Sequence, residues 1–307
     1  MSTTELEAWG VIEEVAELGG TTLETAVSVV IPAYGEAGHI AEQIHAVRRV
    51  LERSGWTYEI IVVDDGSSDD TAQYAARAGV RVLRHRRNRG YGAALKTGIR
   101  VAQHPWILIT DADGTYPPEA IPELLAAASE NDMVVGARVG QTVRIPLVRR
   151  PAKWFLGRLA SYLAGRNLPD LNSGLRLMRK ELVEHYLHLL PSGFSFTTTI
   201  TLAAACNDHP FDYVPINYAA RLGQSKIRSR HAYDFLILIL RTIVFFNPLK
   251  VFLPAGAVLA LVGLGKFAYD VVLDDLSESA VLLLLGALLV WTLGLLADQN
   301  ARMAMHR

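Results

Sequence analysis

Two long apolar segments near the end of the chain, Val251–Tyr269 and Ser279–Ala297, restrict its fold more than any other feature. Each has about 19 residues and would span about 28 Å as a helix, close to the ~30 Å hydrocarbon thickness of a bilayer. Helices at the surface of a soluble domain have a polar face, which both segments largely lack. We therefore predict two transmembrane helices that follow a more polar domain.

The charges around these segments predict their orientation. Basic residues flank the pair on its outer sides, namely Arg228, Arg230, Arg241, Lys250, Arg302 and Arg307. The connecting loop is acidic and contains Asp270, Asp274, Asp275 and Glu278. Because basic flanks stay on the cytoplasmic side, we expect an integral cell-membrane protein whose polar domain and both termini are cytoplasmic. The N-terminus also lacks the basic start and apolar core of a signal peptide.

Changes in composition predict the boundaries of the other segments. We expect a polar domain over 27–230, a juxtamembrane amphipathic helix over 231–247, a two-helix anchor over 248–300 and a cytoplasmic tail over 301–307. An acidic extension occupies residues 1–26, either as a loosely docked helix or as a regulatory or oligomer contact. The juxtamembrane run is short for a third membrane span, which is its alternative interpretation.

Within the polar domain, β-branched runs alternate with helical patterns. The predicted strands are Val27–Pro32, Glu59–Asp65, Val80–Leu83 and Trp106–Thr110. The predicted helices are Ile40–Ser54, Thr71–Ala78 and Gly92–Ala102. This alternation predicts an α/β fold with a mostly parallel, Rossmann-like sheet, flanking helices and right-handed crossovers. Such sheets bind ligands at the carboxyl ends of their strands, where this chain places its polar motifs.

The net charge bears on nucleic-acid binding, and the cysteine content bears on the redox state of the cellular compartment. The formal net charge of −1 gives no basis for a nucleic-acid partner. The single cysteine, Cys206, cannot form an intrachain disulfide, which fits a reducing compartment.

The strongest chemical signal is Asp111-Ala112-Asp113, directly after a predicted buried strand. Two carboxylates at this spacing can face one divalent cation, because Mg²⁺ prefers oxygen ligands and keeps positions open for phosphate. Such a cation would offset the charge of a departing diphosphate. The pair alone is weak evidence, since many surface loops contain one.

Three further motifs precede this pair. The segment Asp64-Asp65-Gly66-Ser67-Ser68 can accept hydrogen bonds from a base or ribose, although a serine could instead cap the next helix. The segment Pro32-Ala33-Tyr34-Gly35-Glu36 ends the first strand and would form another wall of the same crevice. The glycine-rich segment Asn88–Gly98 suits close approach by phosphate or sugar.

In this order the four motifs resemble family 2 glycosyltransferases, which have the GT-A fold. The matching patterns are Val-x-Val-Val-Ile-Pro-Ala-Tyr from Val27, Val-Val-Asp-Asp-Gly-Ser-x-Asp-x-Thr from Val62, Asn-x-Gly-x-Gly-x-Ala from Asn88 and Asp-Ala-Asp from Asp111. Over about Val27–Arg230 the chain is similar to the dolichyl- and undecaprenyl-phosphate hexosyltransferases of that family. The resemblance implies a nucleotide-sugar donor, Mg²⁺ or Mn²⁺, and inversion at the anomeric carbon.

The same motifs supply the expected donor site. We expect the donor to contact Pro32, Ala33, Tyr34, Glu36, Asp64, Asp65, Ser67, Arg89, Gly90, Lys96, Asp111, Ala112 and Asp113. The expected metal ligands are Asp111, Asp113 and Thr115. Two positions here depart from the family pattern: Gly35 replaces the usual Asn, and Thr115 stands where many relatives carry Gln. Thr115 could ligate through its hydroxyl or through a water.

Downstream segments resemble the acceptor motifs of the subfamily, and they are Val135–Arg138, Arg149–Lys153, Asp170–Arg176 and Arg221–Lys226. A lipid phosphate is largely ionised at neutral pH, since its second pKa is about 6, so it needs positive charge and positioning rather than a strong base. The expected acceptor-phosphate contacts are Arg138, Arg150, Lys153, Ser173, Arg221, Ser225 and Lys226. The expected catalytic residues are Asp113, Asp170 and Arg138, with Asp170 orienting the sugar or a basic neighbour.

The expected function is transfer of a hexose from UDP-glucose or GDP-mannose to a polyprenyl phosphate at the cytoplasmic membrane face. One alternative is a processive polysaccharide synthase, whose usual Gln-x-x-Arg-Trp motif has no counterpart here. The other is a catalytically inactive membrane scaffold on the same fold. The sequence leaves open the sugar, the polyprenol length and self-association into a homo-oligomer.

Overall fold

A computed structural model describes residues 25–138, 158, 160–162, 164–217, 244–245, 247–274 and 277–305. Several predictions therefore lie outside the described residues: nearly all of the acidic extension, most of the juxtamembrane helix and the last two residues of the tail. Five of the predicted acceptor contacts also lie outside them, namely Arg150, Lys153, Arg221, Ser225 and Lys226.

Seven strands form one sheet in the described part of the chain, in the order β3-β2-β1-β4-β6-β5-β7. Their bounds are β1 Ala26–Ala33, β2 Thr57–Asp64, β3 Arg81–Arg84, β4 Trp106–Ile109, β5 Met133–Arg138, β6 Arg176–Arg179 and β7 Phe211–Ile216. Strand β1 pairs in parallel with β2 and β4, whereas β6 runs antiparallel between β4 and β5. The predicted mostly parallel sheet is confirmed.

Both faces of the sheet are buried, which explains the continuous apolar runs of its central strands. Side chains alternate between the two faces of a strand, so Val30 joins one hydrophobic cluster while Val29 and Ile31 join the other. Leu95 belongs to the first cluster and Ile44 to the second, and they lie on helices that cover opposite faces. This layering leaves the carboxyl edge of the sheet as the place for polar loops.

Six helices of the polar domain are described, and their bounds are α1 Ile40–Leu51, α2 Thr71–Arg77, α3 Tyr91–Val101, α4 Ile121–Ala126, α5 Lys180–Tyr186 and α6 Phe196–Cys206. Short 3₁₀ turns occupy Pro118–Ala120 and Ala127–Ser129. The three predicted helices are confirmed and correspond to α1, α2 and α3, with ends that differ by up to three residues. Helix α6 is almost wholly buried, which explains why its sequence lacks a charged face.

The two predicted apolar helices are present as α7, Leu249–Val272, and α8, Glu278–Met305. They form a close hairpin: a side chain at Gly256 would overlap Trp291, and one at Gly294 would overlap Phe252. Their outer surfaces expose many apolar side chains, such as Leu261 at 69%. Both helices are long and apolar enough to cross a membrane.

The start of the hairpin touches the polar domain. Phe245 and Val251 pack against the cluster that contains the buried face of α6. At the other end of α7, Asp270 accepts hydrogen bonds from Lys266 and from the backbone and hydroxyl of Ser277, which closes the loop between the helices.

Candidate active site at the carboxyl edge of the sheet

The loops after β1 and β2 are joined by hydrogen bonds at the carboxyl edge of the sheet. The Asp65 amide donates to the Ala33 carbonyl at 2.8 Å. The Gly35 amide donates to Ser67 Oγ at 3.0 Å. Gly35 has a φ of +71°, so glycine at this position suits the backbone of the turn. The two loops therefore lie side by side, and Tyr34 is half exposed next to them.

Asp64 is fully buried beneath this wall. Its Oδ1 accepts hydrogen bonds from the amide and the hydroxyl of Ser67. Its Oδ2 is buried and has no hydrogen bond among the described residues, although Arg84 Nε lies 3.0 Å away in an ion pair. The Arg84 guanidinium offsets the charge of this buried oxygen, and the role of Asp64 as a donor contact stays a prediction.

Asp65 binds protein groups in the described structure. One carboxylate oxygen contacts His85 Nδ1 at 2.6 Å and accepts from the Arg89 amide at 2.9 Å, and the other accepts from the Gly90 amide at 2.8 Å. The far nitrogen of His85 lies 2.9 Å from Thr97 Oγ1 on α3. Asp65 thus joins β2 to the glycine-rich turn, and its role as a donor contact stays a prediction.

The glycine-rich turn packs against backbone of the same chain. A side chain at Gly92 would lie 2.3 Å from the Pro191 carbonyl oxygen, and one at Gly90 would lie 2.6 Å from that of Ser192. The Ala93 amide donates to the Ser192 carbonyl at 3.0 Å. The small residues of this turn therefore admit the 191–193 loop, and contact of the turn with phosphate or sugar stays a prediction. Beyond the turn, Arg89 is exposed and Lys96 is half-buried on α3.

The two acidic residues after β4 each accept a hydrogen bond from a hydroxyl. Tyr91 OH donates to Asp111 Oδ1 at 3.0 Å, and Thr115 Oγ1 donates to Asp113 Oδ1 at 2.6 Å. Burial, and then the charge of Asp111, raises the pKa of Tyr91 well above its ordinary value, so the phenol stays protonated at neutral pH. Thr115 is buried and its hydroxyl donates to Asp113, and its role as a metal ligand stays a prediction.

A loop before β6, residues 170–176, closes over the acidic pair. A side chain at Gly174 would lie 2.8 and 2.9 Å from the carboxylate oxygens of Asp111. The Gly174 amide donates to Tyr116 OH at 2.6 Å. Arg176 is fully buried and donates to the carbonyls of Ser173 at 2.7 Å and Leu171 at 2.8 Å. These contacts bring the predicted donor and acceptor motifs together.

Asp170 and Arg138 form a two-pronged ion pair beside this loop. Arg138 donates from Nε and Nη2 to the two Asp170 oxygens at 2.7 Å each, and its amide donates at 3.1 Å. Burial raises the pKa of Asp170, but the hydrogen bonds and charge of Arg138 outweigh it and leave the pKa below its ordinary value. Ser173 is fully buried and donates to the Gly136 carbonyl at 2.5 Å. The acceptor roles of Arg138 and Ser173 stay predictions.

The lowered pKa of Asp170 predicts how acid affects the domain. The ion pair stabilises the fold fully above the ordinary carboxyl pKa of 3.8 and loses this contribution as pH falls through the lower folded value. Asp170→Asn should therefore reduce the free energy of unfolding by about 3 kcal/mol at pH 7, with a difference from wild type that shrinks below pH 4. Denaturant unfolding followed by fluorescence at several pH values measures this. The exposed Glu123→Gln is the control, and an equal deficit at pH 3 and pH 7 would refute the assignment.

Several residues that build the site were not predicted as site residues. Tyr91, Gly174 and Arg176 lie inside motifs that the sequence showed, but their contacts join segments distant in sequence. His85 and Tyr116 carry no motif signal at all. The described residues contain no group of three or more His, Cys, Asp or Glu side chains that could hold a metal. A cation here would take two protein carboxylates and further oxygens from substrate or water, as Mg²⁺ commonly does.

The sequence of the chain matches two known protein families and a known enzyme. Residues 28–187 match the family model "Glycosyl transferase family 2", and residues 247–303 match "GtrB C-terminal hairpin". The chain is 32% identical over 249 residues to undecaprenyl-phosphate 4-deoxy-4-formamido-L-arabinose transferase from Enterobacter sp. (strain 638), covering 77% of this chain and 73% of that protein.

Solved structures with similar folds include two sugar-phosphoglycerate synthases. Glucosyl-3-phosphoglycerate synthase from Mycobacterium tuberculosis, in complex with Mn²⁺, UDP and phosphoglyceric acid, has a TM-score of 0.58 and 19% identity over 71% of this chain and 78% of that one. Mannosyl-3-phosphoglycerate synthase from Rubrobacter xylanophilus has a TM-score of 0.56 and 20% identity over 71% of this chain and 73% of that one. At these identities the likeness concerns the fold.

The expected GT-A fold is confirmed by these structures and by the sheet order. The family match covers the acidic pair and the loop that closes over it, and the hairpin match covers both apolar helices. The chain belongs to glycosyl transferase family 2 and is a glycosyltransferase.

Proposed function

We propose that the protein transfers a hexose from UDP-glucose or GDP-mannose to a polyprenyl phosphate, with inversion at the anomeric carbon. The observation that carries this proposal is the pair Asp111 and Asp113, oriented by Tyr91 and Thr115 at the end of β4, in a chain that ends in an apolar hairpin. The undecaprenyl-phosphate relative supports a lipid-phosphate acceptor.

A nucleotide diphosphate fits the edge formed by β1, β2 and β4. Asp64 and Ser67, at the end of β2 and in the loop after it, would contact a base or ribose of the donor. The carboxylates of Asp111 and Asp113 would hold Mg²⁺ or Mn²⁺, which suits their oxygen chemistry. When bound, this cation offsets negative charge on the departing diphosphate. Similar folds have been crystallised with UDP and Mn²⁺ or Mg²⁺, which supports this assignment.

A phosphate acceptor requires positive charge next to the donor, because two anions must approach each other. Arg138 lies beside the loop that closes over Asp111, and Asp170 fixes the direction of its guanidinium. We propose that Arg138, with Asp170 as its orienting partner, contacts the acceptor phosphate. The other proposed acceptor contacts are Arg150, Lys153, Ser173, Arg221, Ser225 and Lys226.

The apolar hairpin would keep this site at the membrane surface. We propose a catalytic domain over 27–230, a juxtamembrane helix over 231–247 and an anchor over 248–300 that crosses the membrane twice. The basic flanks favour a cytoplasmic position for the domain and both termini. A nucleotide-sugar from the cytosol and a lipid phosphate from the bilayer could then reach the same site. A homo-oligomer is compatible with this arrangement.

The decisive experiment supplies purified full-length protein in lipid nanodiscs with polyprenyl phosphate and a panel of labelled UDP- and GDP-sugars. One donor should yield a single lipid-linked hexose by mass spectrometry, and excess chelator should stop its formation. A product with many sugars would support a processive synthase instead. No product from any donor would support the inactive scaffold.

A further inference from the structure

Tyr91 connects the glycine-rich turn to the acidic pair. It is the first residue of α3, and its hydroxyl donates to Asp111 Oδ1 at 3.0 Å. The contact spans 20 residues of sequence and joins two different loops. Asp113 is supported differently, since Thr115 lies two residues away in the same loop. The Tyr91 hydroxyl therefore connects the carboxylate of Asp111 to a separate element of the fold, helix α3.

The ring of Tyr91 and its two neighbours in the sequence each contact the 191–195 loop. Phe194 stacks on it with ring centroids 5.5 Å apart and an angle of 19° between planes. The neighbouring Gly90 and Gly92 are in close contact with the backbone of Pro191 and Ser192, as described above. The 191–195 loop thus contacts both the backbone next to Tyr91 and the Tyr91 ring.

A hydrogen bond of this kind has a defined chemical effect on a carboxylate ligand. A hydrogen bond to a metal-binding side chain fixes the orientation of that side chain. Loss of such a hydrogen bond typically weakens metal affinity by 10- to 100-fold. A phenol hydroxyl donates one hydrogen bond, so it can orient a carboxylate oxygen. Removal of the hydroxyl would remove one of the contacts that orient the Asp111 side chain.

We propose that Tyr91 is a positioning residue that orients Asp111 toward the divalent cation, and that Phe194 holds the Tyr91 ring for this purpose. The inference rests on the proposed metal-dependent donor site and adds residues to it. It assigns Tyr91 no contact with either substrate. It also gives the 191–195 loop a role in cation binding, although that loop contains neither of the acidic residues.

The test measures cation binding directly on full-length protein in nanodiscs, with Mn²⁺ and UDP as probes. Electron paramagnetic resonance reports free Mn²⁺, and calorimetry reports UDP binding with and without Mn²⁺. Tyr91→Phe keeps the ring and removes the hydroxyl, and we expect its Mn²⁺ dissociation constant in the presence of UDP to rise about tenfold. Transfer at saturating Mn²⁺ should recover most of its kcat, because the ligand itself is retained.

Two more variants make the result specific. Phe194→Leu removes the stacking and should weaken Mn²⁺ binding in the same direction by a smaller factor, and it tests the proposal separately if Tyr91→Phe fails to fold. Tyr74→Phe removes a phenol on the exposed side of α2, which contacts Arg77, and should leave Mn²⁺ binding unchanged. Thermal unfolding of each variant reports its fold.

The outcomes separate the inference from the function on which it rests. If wild-type protein shows no Mn²⁺-dependent binding of UDP, the proposed donor site is wrong. If wild type shows that binding and Tyr91→Phe matches it at every Mn²⁺ concentration, the role of Tyr91 is wrong and the donor site stands. A tenfold loss that is equal in Tyr91→Phe and Tyr74→Phe would also overturn the inference.

Discussion

Asp113→Ala should lower the rate of sugar transfer by about 10²- to 10³-fold while the protein still folds and enters the membrane. The variant removes one of two carboxylates that would hold the cation, and loss of a group that stabilises charge in the transition state typically costs 10²- to 10³-fold. Asp113 is half-buried in the loop after β4, so its loss should disturb the core little.

Initial rates of lipid-linked sugar formation measure this effect, and membrane fractionation with thermal unfolding measures integrity. Asp212→Ala is the matched control, because Asp212 is an exposed carboxylate on β7. Its rate should equal that of wild type. Full transfer activity of Asp113→Ala, or of wild type in excess chelator, would contradict the metal assignment.

Gly174→Ala should lower kcat/KM for sugar transfer by about 10²-fold with a small change in stability. The added methyl group would lie 2.8 to 3.0 Å from the carboxylate of Asp111, so one of them must move. The carboxylate end of a side chain moves more easily than backbone, so Asp111 is the group expected to shift. A displacement of about 1 Å at a reacting centre can cost 10²-fold in rate, which is the expected magnitude here.

Gly38→Ala provides the control for this prediction. Gly38 is exposed before α1, and a side chain there would meet nothing within 4 Å. Steady-state kinetics and thermal unfolding should therefore match wild type for Gly38→Ala, whereas Gly174→Ala should lose activity at nearly wild-type stability. An unchanged kcat/KM in Gly174→Ala would mean that the position of the Asp111 carboxylate does not limit the reaction.

Several local elements were predictable because their signals lie in consecutive residues. The run Val27–Pro32 predicted a buried strand, and β1 covers it with both faces enclosed. The two long apolar segments near the C-terminus predicted helices α7 and α8 in the same way. Asp111 and Asp113 were expected at a strand end, and they directly follow the short β4. In each case the hydrophobic period or the motif specifies the element by itself.

Some residue types have two physical explanations that the sequence cannot separate. Glycines admit any group that needs close approach, and the structure shows backbone of the 191–193 loop next to Gly90 and Gly92. Thr115 follows the acidic pair, and the structure shows that its hydroxyl donates to Asp113. Only the position of the neighbouring group distinguishes these explanations.

The sequence by itself determined the alternating α/β pattern, the apolar hairpin and the identity of the acidic pair, because each follows from spacing within one short segment. The tertiary structure alone decided how the pair is held, since Tyr91, Gly174 and Arg176 act across loops distant in sequence. It also decided that β6 runs antiparallel beside β4, which brings the 170–176 loop over Asp111. Hydrogen bonds and steric contacts depend on distances of a few tenths of an ångström, and these are set by how the elements pack together.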